Sequence, residues 1–142
     1  MKIALAQQNY HIGNFQENVT KIISAIRQAQ DEGADLVVFP ELSVCGYPPL
    51  DLLDQKSFID KCIRAVESIA PVCKDIAAIV GGPAYNDDPA GKSLFNSAFF
   101  LYQGKVMDQV NKSLLPTYDV FDEYRYFEPN RQFKVIPFRG MK

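Results

Sequence analysis

Histidine is almost missing from this chain, and paired cysteines, a basic excess and long apolar runs are missing altogether. Only one of the 142 residues is a histidine, His11, which follows the first predicted strand. One imidazole cannot build a metal cluster by itself. The three cysteines, Cys45, Cys62 and Cys73, are an odd number without CxxC spacing. That argues for free thiols in a reducing compartment and against a zinc site. Lys and Arg total 15 against 17 Asp and Glu, a formal net charge of −2. The cations are scattered, so no basic field is there to hold nucleic acid. Apolar runs stay far below the roughly 20 residues of a membrane span. After Lys2 only Ile3, Ala4, Leu5 and Ala6 are apolar, too short a stretch for a signal peptide. The N-terminus therefore reads as a strand, and the expected location is the cytoplasm. Repeats, low-complexity tracts and linkers are also lacking. At 47% hydrophobic and 23% charged residues, the chain fits one soluble globular domain or part of a larger one.

What is there is an alternation of strands and helices. Residues 2–8 read as a strand with Ile3 and Leu5 on one side and Ala4 and Ala6 on the other. Asn14, with Glu17 three residues on, has capping-box spacing. The helix it opens runs to about Glu32, with Val19, Ile22, Ile23 and Ile26 as its buried stripe and Gly33 as its stop. Residues 35–39 form a second strand. A second helix runs over 57–69 with Ile59, Cys62, Ile63, Val66 and Ile69 inward, and Pro71 closes or bends it. Residues 76–80 are a third strand ending at Gly81-Gly82-Pro83. Residues 93–102 and 105–111 read as an antiparallel hairpin turning at Gln103-Gly104. Residues 113–131 are irregular and aromatic, 133–137 a short strand, and Phe138-Arg139-Gly140 a turn. Gly140-Met141-Lys142 reads as that turn running into a further strand. The order predicts an α/β fold with helices on a mixed sheet. A sheet halted at that point keeps an unpaired edge for another chain to cover.

Two strand ends deliver charge. Leu36-Val37-Val38-Phe39 is a buried strand that Pro40 terminates, because proline cannot donate to a ladder. Glu41 then sits where the strand leaves the sheet, a usual place for catalytic groups in open α/β folds. Lys112 follows the second hairpin strand in the same way. Acyl transfer from an amide needs a nucleophile, a base, donors or a cation for the oxyanion, and an acid for the departing amine. A carboxylate beside a lysine in a water-poor pocket supplies all but the nucleophile. The bland alternative is a solvated glutamate and a surface lysine, the usual state of such residues.

The longer strings are more specific. Phe39-Pro40-Glu41-Leu42 with Lys112 downstream resembles the nitrilase, or carbon–nitrogen hydrolase, superfamily, whose members use a Glu-Lys-Cys triad on an α-β-β-α sandwich. Glu41-Leu42-Ser43-Val44-Cys45-Gly46-Tyr47-Pro48-Pro49-Leu50-Asp51-Leu52-Leu53 resembles the segment after the catalytic glutamate of glutamine-dependent NAD synthetases. Lys112-Ser113-Leu114-Leu115-Pro116-Thr117-Tyr118-Asp119-Val120-Phe121-Asp122-Glu123-Tyr124-Arg125-Tyr126-Phe127 resembles the segment opened by their catalytic lysine. Thr117 and Tyr124 depart from that pattern, where asparagine and lysine are common. The resemblance covers the whole chain, but only about the first half of the family's glutaminase domain.

The resemblance implies an incomplete nitrilase-type sandwich over residues 1–142, with Glu41 as general base and Lys112 as the oxyanion-stabilising cation. Tyr47, Tyr118, Phe121 and Glu123 match positions lining the glutamine pocket. Glu123 either takes the ammonium of glutamine or orients Lys112. It further implies glutamine and an ATP-dependent synthetase domain as partners, homo-oligomers, no cofactor in this part, and ATP with Mg in the synthetase part. The family's cysteine lies beyond Lys142. Cys45 matches no nucleophile position, Cys62 and Cys73 read as small buried hydrophobes, and Gly81-Gly82-Pro83 is no phosphate cradle. This chain alone is therefore expected to be inactive. Two alternatives remain at this stage: another carbon–nitrogen hydrolase acting on an amide, nitrile or ureido acid, or a non-catalytic binding module of the same fold.

Overall fold

Asn14 caps the first helix: its side-chain oxygen accepts from the Glu17 backbone amide at 3.3 Å, and its side-chain nitrogen donates to the Glu17 carboxylate at 2.7 Å. Such a cap contributes about 1 kcal/mol. In this computed structural model, which describes residues 1–141, the helix α1 that follows spans Phe15–Asp31. Ile22 and Ile26 of its stripe are fully buried, while Val19 and Ile23 pack partly buried beside them. Each buried isoleucine contributes about 1.5–3 kcal/mol. Asn18 is also fully buried. Its side chain takes the amide of His11 at 3.0 Å and donates to the carbonyls of His11 and Val44 at 2.8 and 3.2 Å. One polar side chain thereby ties α1 to two loops.

The strands are β1 (Ile3–Leu5), β2 (Leu36–Val38), β3 (Ala77–Tyr85), β4 (Leu94–Tyr102) and β5 (Lys105–Asn111). They lie side by side in chain order, with β1, β2 and β3 parallel and β3, β4 and β5 antiparallel. Helix α2 (Lys56–Ile69) joins α1 on one face, where Ile59, Cys62, Val66 and Ile69 meet Val37, Ala78, Val80 and Leu101. Short 3₁₀ turns, Leu50–Asp54 and Ala70–Val72, flank α2, and the four-residue helix α3 covers Glu123–Tyr126. Alternation sends Leu36, Ala77 and Phe100 to the other face, with Val38, Ile79, Tyr102 and Phe138 around them. Among the described residues, no helix is long and apolar enough to cross a membrane.

Several boundaries differ from the expectation. The first strand is shorter than 2–8, and Ile3 and Leu5 are exposed. The third strand runs through Gly81-Gly82-Pro83 and pairs them with Ala98, Ser97 and Asn96. Pro83 is tolerated because β2 pairs β3 only as far as Ile79, so that flank has no ladder to break. Residues 133–137 form no strand. Their neighbourhood is fixed instead by side chains: Phe138 packs edge-on against Phe100 and Tyr102 at 5.5 and 5.2 Å, Lys134 pairs with Asp108, and Arg139 with Asp35. Phe138 and Met141 bridge across the expected turn. The further strand expected from 140 onward extends to Lys142, which lies outside the described residues.

Candidate active site

The backbone of β2 makes its last sheet contact where Phe39 donates to Ile79 at 3.0 Å. Pro40 has no amide to continue, and Leu42 turns the chain with a φ of 49°. Glu41 sits between them. The turn is locked by the amides of Cys45 and Gly46, which donate to the Leu42 carbonyl at 3.0 and 2.8 Å. It is sewn to β3 at Gly81, whose amide donates to the Ser43 hydroxyl at 3.2 Å and whose carbonyl accepts the Val44 amide at 3.2 Å.

Lys112 leaves β5 with its amide donating to the Asn96 carbonyl at 2.8 Å, and its carbonyl takes the Asn130 amide at 2.9 Å. The main chain is thus held on both sides of the side chain. Glu123 opens α3, with its amide on the Pro116 carbonyl at 3.2 Å.

These anchors bring three charges together. Lys112 Nζ lies 2.7 Å from Glu41 Oε1, and 3.0 and 2.8 Å from the two carboxylate oxygens of Glu123. Tyr47 donates its hydroxyl to Glu123 Oε1 at 2.9 Å. The Asn96 side-chain amide donates to Glu41 Oε1 and, at 3.4 Å, to Glu123 Oε2. Glu123 is 5% exposed, whereas the Glu41 and Lys112 side chains keep 39% and 32%. The cluster therefore has a closed end at Glu123 and an open end at Glu41.

Burial works against the Lys112 charge, but hydrogen bonds and fields from Glu123 and Glu41 outweigh it and hold its pKa above the ordinary lysine value. Burial, followed by the bond to Glu123, pushes the Tyr47 hydroxyl far up, so Tyr47 remains a donor. The arrangement fixes an ammonium at a half-open site beside one accessible carboxylate.

The aromatic positions are placed unequally. Tyr47 and Phe121 are neighbours with ring centroids 6.3 Å apart, and Tyr118 meets Phe121 edge-on at 5.6 Å. Tyr118 is largely exposed. It lines a hollow of about 660 Å³ with Lys112, Leu114, Pro116 and Tyr124. Glu41 is not among the residues lining that hollow.

Cys45, Cys62 and Cys73 are all buried. The Cys45 thiol donates within its own turn, to the carbonyls of Leu42 and Gly46. No thiol shares a hydrogen bond with Glu41 or Lys112 among the described residues. His11 is exposed and pairs with Glu17 at 3.2 Å. Among the described residues, no group of three His, Cys, Asp or Glu is placed to hold a metal ion. The residue that sequence reasoning missed is Asn96. Its signal was a polar pair, Asn96-Ser97, inside an otherwise apolar strand.

The carbon-nitrogen hydrolase family model matches residues 2–142. The chain belongs to this family. Among curated members it is 42% identical over 144 residues to the glutamine-dependent NAD(+) synthetase of Synechocystis sp., covering 99% of this chain and 26% of that one. It is 43% identical to the synthetase of Xylella fastidiosa, with the same coverage. The chain thus spans about a quarter of the length of the curated relatives it matches. The carbon-nitrogen hydrolase fold is equally plain in solved structures. The glutamine-dependent NAD+ synthetase of Acinetobacter baumannii superposes with a TM-score of 0.87 at 39% identity, over 97% of this chain and 26% of that one. An amidase from Nesterenkonia sp. superposes with a TM-score of 0.80 at 26% identity, over 99% of this chain and 52% of that one. A solved variant of the same amidase carries acrylamide added at its active site cysteine. The mixed sheet and its helices match an incomplete nitrilase-type α/β domain.

Proposed function

We propose that this chain is the glutamate- and lysine-bearing part of the glutaminase domain of a glutamine-dependent NAD synthetase. The observation that carries the proposal is Lys112 Nζ held between Glu41 and Glu123 at 2.7 and 2.8 Å, in a chain over 40% identical to synthetases along nearly its whole length. The lower identity to the amidase, 26%, favours the synthetase over a free-standing amide hydrolase.

In this reading Glu41 is the general base and Lys112 the cation for the tetrahedral oxyanion. A thiol elsewhere in the parent chain gives its proton to Glu41 and attacks the side-chain amide of glutamine. The ammonium of Lys112 stabilises the negative charge that develops on the amide oxygen. Glu41 returns the proton to the departing ammonia, and water then releases glutamate from the thioester. Glu123 spends both oxygens on Lys112 and one also on Tyr47. That supports the orienting role for Glu123 over capture of the substrate ammonium. Tyr47 acts through Glu123, while Tyr118 and Phe121 wall the approach for glutamine.

Residues 1–142 then form part of one domain. The ammonia passes to a synthetase domain of the same parent chain, which amidates deamido-NAD with ATP and Mg. The parent protein is a cytoplasmic homo-oligomer. Because all three thiols are buried, the 142-residue chain alone releases no ammonia from glutamine. The test is an assay of the parent protein for glutamine- and ATP-dependent amidation of deamido-NAD. Activity with glutamine lost in Glu41→Gln, but kept with free ammonia, supports the proposal. Ammonia release by the isolated chain that disappears in Cys45→Ala would overturn it.

A further inference from the structure

Both hydrogen bonds that reach Glu41 end on the same oxygen. Lys112 Nζ and the Asn96 side-chain amide each donate to Oε1, and among the described residues no bond reaches Oε2. The Glu41 side chain is 39% exposed, so the free oxygen belongs to the open end of the cluster. Asn96 itself is 4% exposed. A buried amide that lacks partners costs about 1–3 kcal/mol, so its orientation is constrained. The groups before it are two carboxylates, which only accept, and its nitrogen must face them. The same residue binds the Lys112 amide through its main-chain carbonyl at 2.8 Å. Asn96 therefore touches all three charged residues, two through its side chain and one through its backbone. Bonds from a neutral amide to carboxylates are about twice as strong as neutral pairs, and a donor between two carboxylates offsets their repulsion.

We propose that Asn96 is a positioning residue that, with Lys112, pins Oε1 of Glu41 and leaves Oε2 as the oxygen that takes the proton. This rests on the glutaminase reading above. The step it serves breaks the S–H bond of a thiol supplied by the parent chain and forms O–H at Oε2, with the electron pair left on sulfur. The proton later leaves Oε2 for the departing ammonia. With Oε1 doubly held, the carboxylate cannot swing and exchange its two oxygens between turnovers.

The test uses the parent protein with Asn96→Leu, which keeps the side-chain size and removes the donor. The expected result is a fall in kcat for ammonia release of about 100-fold, with KM changed less than about threefold, since Asn96 touches no substrate. The acid limb of the kcat/KM profile moves to higher pH, because a donor favouring the carboxylate is gone. Asn96→Ser, which keeps a small donor, restores part of both. If Asn96→Leu does not fold, Asn96→Ser carries the test through the same shift in smaller measure. A folded variant with an unmoved acid limb and kcat within about twofold of the unaltered protein overturns the proposal. Alkylation of the nucleophilic thiol by iodoacetamide, followed against pH, separates the two readings. If the alkylation profile moves in Asn96→Leu but the unaltered protein does not hydrolyse glutamine, Asn96 keeps its role and the substrate is wrong. If glutamine is hydrolysed and neither profile moves, only the role of Asn96 falls.

Discussion

A Cβ added to Gly81 falls 2.5 Å from the amide nitrogen of Leu42, and 2.8 Å from the carbonyl oxygen of Pro40. Backbone meets backbone there, and no side chain can move aside. Gly81 is therefore what lets the Glu41 turn lie directly on β3. Gly81→Ala is expected to destabilise the chain by about 1–3 kcal/mol, as overpacking does, measured by urea unfolding. On the proposed function, the parent protein loses more glutaminase activity than the unfolded fraction explains, because the displaced segment carries Glu41.

Glu123→Gln removes one of the two carboxylates that keep Lys112 charged. The burial that opposes the charge remains, so the Lys112 pKa falls. On the proposed function, the alkaline limb of the parent protein's glutaminase profile moves to lower pH, and kcat drops by about 100-fold or more. In the unaltered chain, the Lys112 contribution to stability is complete below the ordinary lysine value near about 10.4 and is lost as pH rises beyond it. In the variant the unfolded value is unchanged, so the loss starts at the same pH but is smaller and complete at a lower pH. Thermal unfolding between pH 8 and pH 11 checks the sign.

Asn18→Leu leaves the His11 amide and two carbonyls without their partner. The expected cost is about 1–3 kcal/mol for each donor or acceptor that stays buried. The readout is denaturant unfolding. A second sign is faster amide hydrogen exchange at Val44 and Cys45, in the turn that carries Glu41.

The thiols are expected to resist a disulfide reagent until the chain unfolds. Cys45 and burial push the Cys62 thiol up, and burial pushes Cys73 up to about 12. An unfolded thiol ionises near about 8.5, so the unfolded state gains relative to the folded one above that value. Stability therefore falls as pH climbs from about 9 towards 12. Stopped-flow titration of thiols against pH, with and without urea, measures both effects.

Local features were legible in the sequence because their causes are local. Asn14 caps the helix with its own side chain, Ile22 and Ile26 face the core by helical spacing, and the Gln103-Gly104 hairpin turns at two residues with positive φ. Glu41 and Lys112 were also found, as charges following apolar strands. Their contact across 71 residues of chain depends on sheet order, which no local pattern contains. The place of Gly81 inside β3 is not legible, because a close approach by Pro40 and Leu42 is invisible in the residues around 81. Residues 133–137 have strand composition, but composition does not supply a neighbour to pair with. Asn96 was hidden because both its side-chain partners arrive from distant segments.

The β4–β5 ladder shifts register once, between Phe100 and Leu101. Tyr102 and Leu101 face Lys105 and Val106, but Phe100 faces Asp108, so Met107 is a spare residue in β5. If that residue were taken into a regular ladder opposite Phe100, every later residue of β5 would slip by one place, and successive side chains point to opposite faces. Lys112 would then turn its ammonium away from Glu41 and present its neighbour instead. The bulge at the exposed Met107 thus decides which face of the sheet receives the ammonium.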